Sequence, residues 1–283
     1  MPLQTSDHPG CATCPPPPDR KGFSNPRASS RRATPVLIIN LDRSPHRLAR
    51  IEAQLTALDL PFHRLAATDG HTLPETERAR HYDVALNRRS YHKPLVAGEI
   101  GCYISHLRAW QWLLDCGEEH AVILEDDVVL GDNFRAALDL LPGLPPTWDL
   151  VKLGSWSRKP VLSSRSCGEF ALCRYGKTPI SAFAQAVSRR GAEKLLRARV
   201  PFARPVDVDL QHVWETDLEV CGLEPYPVDV AAGVASDIGV AEPRHTVRAN
   251  RLAFFRQRLQ FAAQQWRHNL RRHGLRPVMR TML

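Results

Sequence analysis

Short apolar runs that alternate with amphipathic segments are the feature that most restricts the possible folds of this chain. Residues 36–41 are an apolar, β-branched run of the kind found in strands that are buried on both faces of a sheet. Ser44 and Pro45 then provide an N-cap and a first helical residue, and apolar side chains recur at helical spacing from residue 48 to 58. With a further strand predicted at 62–66, this region has the pattern of a βαβ unit.

The alternation continues along the chain. Residues 98–114 have helical periodicity, whereas residues 71–95 are polar and poorly patterned, which predicts a mobile loop. Further strands are predicted at 121–124, 150–153, 182–187 and 226–230. Further helices are predicted at 191–197 and 207–214. Strands that alternate with helices predict the α/β class, here a single domain with a mostly parallel central sheet.

The charge of the chain is distributed unevenly. The 283 residues have a net charge of +8, but residues 244–283 contain ten Arg and no acidic residue. Residues 1–33 are rich in Pro, Ser and Arg, which predicts a disordered leader. Residues 34–243 are mildly acidic and are predicted to be the folded, catalytic domain. Because an acidic body disfavours binding to phosphate backbones, we expect no nucleic-acid partner.

The Arg-rich tail, residues 244–283, is predicted to contain an amphipathic helix, because apolar side chains recur every three or four residues from 252 to 270. Two interpretations stay open: the helix docks on the domain, or it lies in the headgroup region of an anionic membrane. No run is long enough to span a bilayer, and the first residues lack the pattern of a secretory signal. The odd number of cysteines, seven, indicates reduced thiols. We therefore expect a cytoplasmic protein, and the second interpretation of the helix would make it peripheral at the inner face of the plasma membrane.

Three adjacent carboxylates, Glu125, Asp126 and Asp127, follow the strand predicted at 121–124. An α/β sheet binds its ligands at the carboxyl ends of its strands, and carboxylates that repel one another favour a divalent cation there. Mg²⁺ or Mn²⁺ held in this way also binds substrate phosphates. The alternative is a solvated acidic turn that caps a helix near Asp132.

A second acidic pair, Asp207 and Asp209, lies at the start of a predicted helix. Either the helix dipole stabilises both carboxylates, or one of them is a general base that deprotonates an acceptor hydroxyl. On the predicted helix at 98–114, Glu99 and His106 are seven residues apart and share a face. These two side chains either form a buried hydrogen bond or line an active site.

Two further polar pairs follow the first two predicted strands. Asp42 and Arg43 follow the first strand, and Asp69 and Gly70 follow the second. Nucleotide-binding α/β proteins contact their ligands at such positions. The chain lacks the glycine-rich dinucleotide motif, the P-loop motif and the nucleophile elbow, which disfavours those three functional classes.

Six segments of this chain, taken in order, resemble glycosyltransferase family 25. The segments are INLDRSPHR (39–47), AATDG (66–70), GEIGCYISHLRAW (98–110), VILEDDV (122–128), VSRRGAEKLL (187–196) and PVDVDL (205–210). The combination of EIGCYISH with LEDD some twenty residues later is specific. The family contains bacterial lipopolysaccharide and lipooligosaccharide galactosyltransferases, and collagen galactosyltransferases are related to it.

The resemblance implies a GT-A-like fold and an inverting reaction. A sugar, usually galactose, would pass from a UDP-sugar to a hydroxyl of a glycan or lipid-linked glycan acceptor. The resemblance also implies Mn²⁺ or Mg²⁺ at the donor diphosphate, with Asp127 as the first ligand and Asp126 as the second.

The resemblance assigns the remaining site residues to two groups. The catalytic group is Asp207 and Asp209, which would supply the base or further metal contacts, with His106 and Glu99 of the central helix segment. The donor-binding group is Asn40, Asp42, Arg43, Arg47, Asp69, Gly70, Ser105 and Glu125.

Two rival functions use the same features. A metal-dependent nucleotidyltransferase or phosphohydrolase would share the acidic strand end and the phosphate chemistry. A surface-binding protein could retain a transferase-like scaffold without turnover.

Overall fold

An eight-stranded sheet forms the centre of the protein in a computed structural model that describes residues 33–231 and 250–275. The strands, numbered along the chain, are β1 (Val36–Asn40), β2 (Phe62–Ala66), β3 (His120–Glu125), β4 (Val128–Leu130), β5 (Leu150–Lys152), β6 (Val161–Cys167), β7 (Phe170–Tyr175), β8 (Ala184–Ser188), β9 (Val220–Glu224) and β10 (Val228–Val230). The order across the sheet is β2-β1-β3-β8-β5-β9-β7-β6, and β4 and β10 form a separate antiparallel pair.

The helices pack against both faces of this sheet. They are α1 (Pro45–Ala57), α2 (Glu75–His81), α3 (Val84–Ser90), α4 (Ala97–Cys116), α5 (Phe134–Leu140), α6 (Arg189–Ala198), α7 (Val206–Asp209), α8 (Val213–Thr216) and α9 (Arg251–His273). Leu37 and Ile39 of β1 belong to an apolar cluster with Trp110 of α4. Val36 and Ile38 belong to the cluster on the other face, with α1 and α5. Because successive side chains of a strand point to opposite faces, burial on both sides explains the unbroken apolar run of β1.

The α/β class is confirmed, and the sheet is mixed. β1 pairs in parallel with both β2 and β3, and β5 pairs in parallel with β9. β8 runs antiparallel to both of its neighbours, and the β6–β7 hairpin adds antiparallel strands at one edge. The carboxyl ends of β1, β2 and β3 therefore meet at one edge of the sheet, where a ligand site is expected.

The prediction of a mobile loop at 71–95 is wrong. This stretch contains α2 and α3, joined at Tyr82, which makes an isolated bridge with Phe202. Each helix has seven residues, and among their side chains only Asn87 is buried, so no apolar stripe marks them in the sequence. The Asp83 side chain accepts a hydrogen bond from the backbone N–H of Leu86 and caps α3.

The structure differs from the prediction at two further places. The helix predicted at 207–214 is two short helices, α7 and α8, because the backbone turns at 210–212. The β6–β7 hairpin was not predicted, since β6 is a largely exposed edge strand without an apolar face. Only the last residue of the predicted leader, residue 33, lies within the described residues.

The tail helix α9 docks on the domain. The Asn269 side chain donates to the backbone oxygen of Gly176 at 2.6 Å, and Arg272 pairs with Asp217 at 3.1 Å and with Glu219. In the part of the chain that the structure describes, no helix combines the length and the hydropathy of a membrane-spanning segment.

Gly101 of α4 permits a close approach between this helix and the loop after β2. A Cβ on Gly101 would lie 2.4 Å from the carbonyl oxygen of Thr68 and 2.6 Å from the backbone nitrogen of Gly70. Since backbone atoms cannot swing away, we expect Gly101→Ala to lower the free energy of unfolding by about 3 kcal/mol in urea denaturation. The matched control is Gly143→Ala, whose Cβ meets no atom within 4 Å. Equal stability of the two variants would contradict the close approach.

Candidate active site

A cleft of about 80 Å³ opens where the carboxyl ends of β1, β2 and β3 meet α4. Nine of the predicted site residues line it, namely Arg43, Arg47, Asp69, Gly70, Ser105, His106, Glu125, Asp126 and Asp127. Residues from four separated segments converge here because the parallel strands end at one edge. The sheet topology therefore brings the residues of these sequence motifs together in one site.

Asp126 is held in place by two buried side chains. Asn40 Nδ2 donates to Asp126 Oδ2 at 2.6 Å, and Arg47 Nη1 lies 3.2 Å from Asp126 Oδ1. Arg64 Nε donates in turn to Asn40 Oδ1 at 3.0 Å. Burial raises the pKa of Asp126, and the contacts with Asn40 and Arg47 oppose that shift. Asn40 and Arg47 thus orient this carboxylate.

Asp127 carries a negative charge that its surroundings compensate incompletely. Burial and the adjacent charges of Glu125 and Asp126 raise its pKa to about 7, although Arg47, with Nη1 4.0 Å from Asp127 Oδ2, opposes the shift. A divalent cation would supply the missing positive charge, and carboxylate oxygens are the ligands that Mg²⁺ and Mn²⁺ prefer. The donor set fits such a cation, with Asp127 and then Asp126 as the residues that would hold it.

The raised pKa of Asp127 predicts a pH-dependent stability. A carboxyl whose pKa is higher in the folded state binds more protons there, so stability falls as the pH rises from about 4 to 7. Relative to Asp127→Asn, the wild-type protein should lose on the order of 3 kcal/mol of unfolding free energy over this range, in EDTA. Urea denaturation at several pH values measures the difference. A constant difference between the two proteins would contradict the assigned pKa.

His106 joins Glu125 to the centre of the sheet. The imidazole is fully buried, with Nε2 3.1 Å from Glu125 Oε1 and Nδ1 3.2 Å from Gln185 Nε2. Cys102 Sγ lies 3.9 Å from the same Glu125 oxygen. Among the described residues, ligand atoms of Cys102, His106 and Glu125 lie within 4.8 Å of one another, a donor set that suits zinc better than magnesium.

Glu99 lies outside the cleft. It accepts a hydrogen bond from the backbone N–H of Val96 at 3.1 Å, and Lys93 Nζ lies 3.9 Å away. His106 contacts Glu125 instead, so the Glu99–His106 hydrogen bond considered from the sequence is not formed. Glu99 therefore stabilises the first turn of α4.

Asp209 also lies away from the cleft, in a buried ion network. Its carboxylate accepts hydrogen bonds from Tyr103 Oη at 2.6 Å and from Arg204 Nε at 2.8 Å, and Arg199 lies at 3.4 Å. Glu215 binds both arginines. Although burial raises the pKa of Glu215, hydrogen bonds from Arg204 and Arg199 lower it to about 2. This network joins α4, α6, α7 and α8.

Lys152 connects Asp207 electrostatically to the acidic end of β3. The Lys152 side chain is fully buried and donates to the backbone oxygen of Ser181. Burial lowers its pKa to about 8, and the charges of Asp207 and Glu125 oppose that shift. Sequence analysis missed this residue because it ends a buried strand. A lysine in an apolar run is the signal that could have revealed it.

The rim of the cleft is built from the loop after β2 and the segment after β1. Ser105 Oγ accepts from the backbone N–H of Thr68 at 2.8 Å and fixes the loop to α4. Arg43 pairs with Asp69. Burial raises the pKa of Asp69, but the hydrogen bonds from the His71 backbone and from Arg43 lower it overall. Asp42 is mostly exposed and pairs with Arg64, outside the cleft lining.

The comparison with family models decides the classification. Residues 33–208 match the model of glycosyltransferase family 25, described as an LPS biosynthesis protein. The chain belongs to glycosyltransferase family 25. The family match includes every residue of the cleft and Asp207, but it ends one residue before Asp209.

Curated relatives in family 25 differ in activity. A probable inactive family 25 member 3 from Rattus norvegicus is 30% identical over 214 residues, which cover 67% of this chain and 37% of the relative. Procollagen galactosyltransferase 2 of Homo sapiens is 25% identical over 199 residues, which cover 68% and 30%. The chain thus spans about a third of the length of these relatives. Because relatives with and without activity both occur, the residues of the site decide what this chain does.

The likeness to solved structures is slight. A crystal structure of a glycosyltransferase involved in glycosylation of the major capsid of PBCV-1 aligns with a TM-score of 0.29 and 11% identity. The alignment covers 64% of this chain and 66% of that chain.

Proposed function

We propose that this protein is an inverting glycosyltransferase that transfers galactose from UDP-galactose to a hydroxyl of a glycan acceptor. The acceptor is a lipopolysaccharide, a lipooligosaccharide or another cell-surface glycan, in a lipid-linked form. The proposal depends on the half-buried carboxylate of Asp127, whose charge is incompletely compensated, at the edge where three parallel strands end. Membership of family 25 and the named galactosyltransferase relatives support it.

In this proposal the residues of the chain hold and deprotonate the reactants. A bound Mn²⁺ or Mg²⁺ supplies positive charge next to the diphosphate leaving group. Asn40 and Arg47 hold the carboxylate of Asp126, which would bind the cation together with Asp127. Asp207 accepts the proton of the acceptor hydroxyl. The oxygen of that hydroxyl bonds to the anomeric carbon of the sugar, and the bond from this carbon to the diphosphate breaks. UDP then leaves.

The test is a product assay with UDP-galactose and other sugar nucleotides, with and without Mn²⁺. The proposal predicts release of UDP that requires both Mn²⁺ and an acceptor glycan and that is fastest with UDP-galactose. Release of UMP and a sugar 1-phosphate would favour the nucleotidyltransferase or phosphohydrolase. Vesicle or glycan binding without any release of UDP would favour the non-catalytic surface-binding protein.

We also propose that α9 holds this cytoplasmic protein at the anionic inner face of the plasma membrane. Leu252, Phe255 and Leu259 share one side of α9 and are 84%, 61% and 74% exposed. The helix bears six Arg and no acidic residue, which complements an anionic leaflet.

Replacing Leu252, Phe255 and Leu259 together with Ser tests this membrane contact. We expect about a tenfold or larger loss of co-sedimentation with vesicles that contain an anionic phospholipid, because apolar insertion is lost while the charge is kept. Gln260→Ser, an exposed change on the same helix, is the control. Unchanged sedimentation of the triple variant would contradict the proposal.

A further inference from the structure

A cavity of about 540 Å³ lies between α9 and the domain, away from the acidic cleft. Its lining is predominantly apolar and includes Tyr91, Phe254, Phe261 and Trp266. A volume of this size is typical of sites for small organic ligands. The contact of Asn269 with Gly176 holds α9 over it.

Three cationic side chains line this cavity, and one of them, Arg204, is paired with Asp209 and Glu215. Lys177 Nζ lies 4.8 Å from the centre of the Phe261 ring, and the Arg258 guanidinium lies 5.6 Å from that of Phe254. Within the described ranges, no acidic residue lines the cavity. Burial lowers the pKa of Lys177, and the charges of Lys159 and Arg258 lower it further. The cavity therefore has a positive potential that favours an anion.

Two buried polar atoms of the lining have no hydrogen-bond partner. They are Gln257 Nε2 and Gln265 Oε1, and Gln265 is only 8% exposed. Nearly all buried polar groups in folded proteins are hydrogen-bonded, so such atoms indicate a missing polar ligand. Gln257 Nε2 can donate to an anion, and Gln265 Oε1 can accept from a hydroxyl group.

We propose that this cavity binds the phosphate group of a lipid, the lipid that carries the acceptor glycan of the proposed function. The phosphate contacts Lys177, Arg258 and Gln257, and the hydrocarbon chain lies against the aromatic lining. The apolar lining favours a lipid phosphate over a free nucleotide or inorganic phosphate, which offer no hydrocarbon surface. The lipid-phosphate proposal rests on the proposed function for one point only, which is that the lipid carries the acceptor glycan.

The cavity also contacts α7, the helix that contains the candidate base of the proposed function. Val208 of α7 lines it, and the preceding residue, Asp207, is the candidate base. The exposed apolar residues Leu252, Phe255 and Leu259 lie on the helix that covers the cavity, so a lipid can reach it from the membrane surface. A lipid-linked acceptor anchored here is held beside the residue that would deprotonate it.

The test is calorimetric titration of the full chain with farnesyl phosphate, in the absence of sugar nucleotide and metal. Farnesyl phosphate should bind about tenfold or more tightly than either farnesol or inorganic phosphate, since each of these lacks one part of the recognised group. Inorganic phosphate that binds as tightly as farnesyl phosphate would indicate a free-anion site and overturn the proposal. Farnesol that binds as tightly as farnesyl phosphate would also overturn the proposal.

Matched variants locate the binding. The double variant Lys177→Gln with Arg258→Gln should bind farnesyl phosphate about tenfold or more weakly, because charge-assisted hydrogen bonds are lost. Lys177→Arg keeps the charge and should retain binding, and Arg256→Gln, exposed on the same helix, should not change it. Equal affinity of the double variant and wild type would refute the site. Since no turnover is measured, failure of the transferase assay leaves this result standing.

Discussion

Asp127→Asn is expected to reduce UDP-galactose turnover by about 10²- to 10³-fold in Mn²⁺, with the protein still folded. The amide keeps the shape of the carboxylate but removes the charge that would bind the cation. Because the ionised Asp127 is half-buried beside Glu125 and Asp126, the substitution also removes a repulsion. The melting temperature at pH 8 without metal should therefore rise while turnover falls, and this separates lost chemistry from lost folding.

The matched control for this prediction is Asp132→Asn, an exposed acidic residue a few positions farther along the chain. It should leave both the turnover and the melting temperature unchanged, because its side chain is solvated and does not line the cleft. Turnover by Asp127→Asn that equals the wild-type rate would mean that the cation site lies elsewhere.

Asp209→Asn is expected to lower the free energy of unfolding by about 3 to 5 kcal/mol, measured by urea denaturation. Arg199 and Arg204 are buried against this carboxylate, and removal of its charge leaves them with Glu215 as their acidic partner in the network. A buried cation that loses part of its compensation is costly. Reduced activity in this variant would follow its loss of folded protein.

The companion variant Asp207→Asn separates the two acidic residues of this motif. Its unfolding free energy should change by about 1 kcal/mol or less, while turnover falls by about 10²-fold or more if the carboxylate is the base. The reverse pattern, with Asp207 needed for stability and Asp209 for turnover alone, would contradict the assignment.

The sequence predicted the parallel part of the fold because burial leaves a direct mark there. β1 is buried on both faces, so its run is apolar throughout, and the stripe of α1 follows from its single buried face. The exposed edge strand β6 and the short helices α2 and α3 bury few side chains and leave no such pattern. Their positions depend on contacts with distant residues, such as that of Tyr82 with Phe202.

The site residues also divide into those that the sequence could assign and those that depend on distant contacts. The residues that follow β1, β2 and β3 could be assigned together because parallel strands end at one edge. Asp207 and Asp209 are two residues apart in a helical turn and therefore point to different sides. Only the position of Arg199 and Arg204 shows which carboxylate turns inward. Although Glu99 and His106 share a helix face, they do not contact each other. Glu99 lies near Lys93, and His106 contacts Glu125.

We propose above all that the carboxylate of Asp127 binds a cation that contacts the diphosphate of a sugar nucleotide. Anomalous diffraction from crystals soaked in Mn²⁺ and UDP measures this directly. We expect a manganese peak between Asp127 and the UDP diphosphate, and no such peak in Asp127→Asn. A wild-type cleft that contains neither manganese nor UDP, while UDP binds elsewhere, would contradict it.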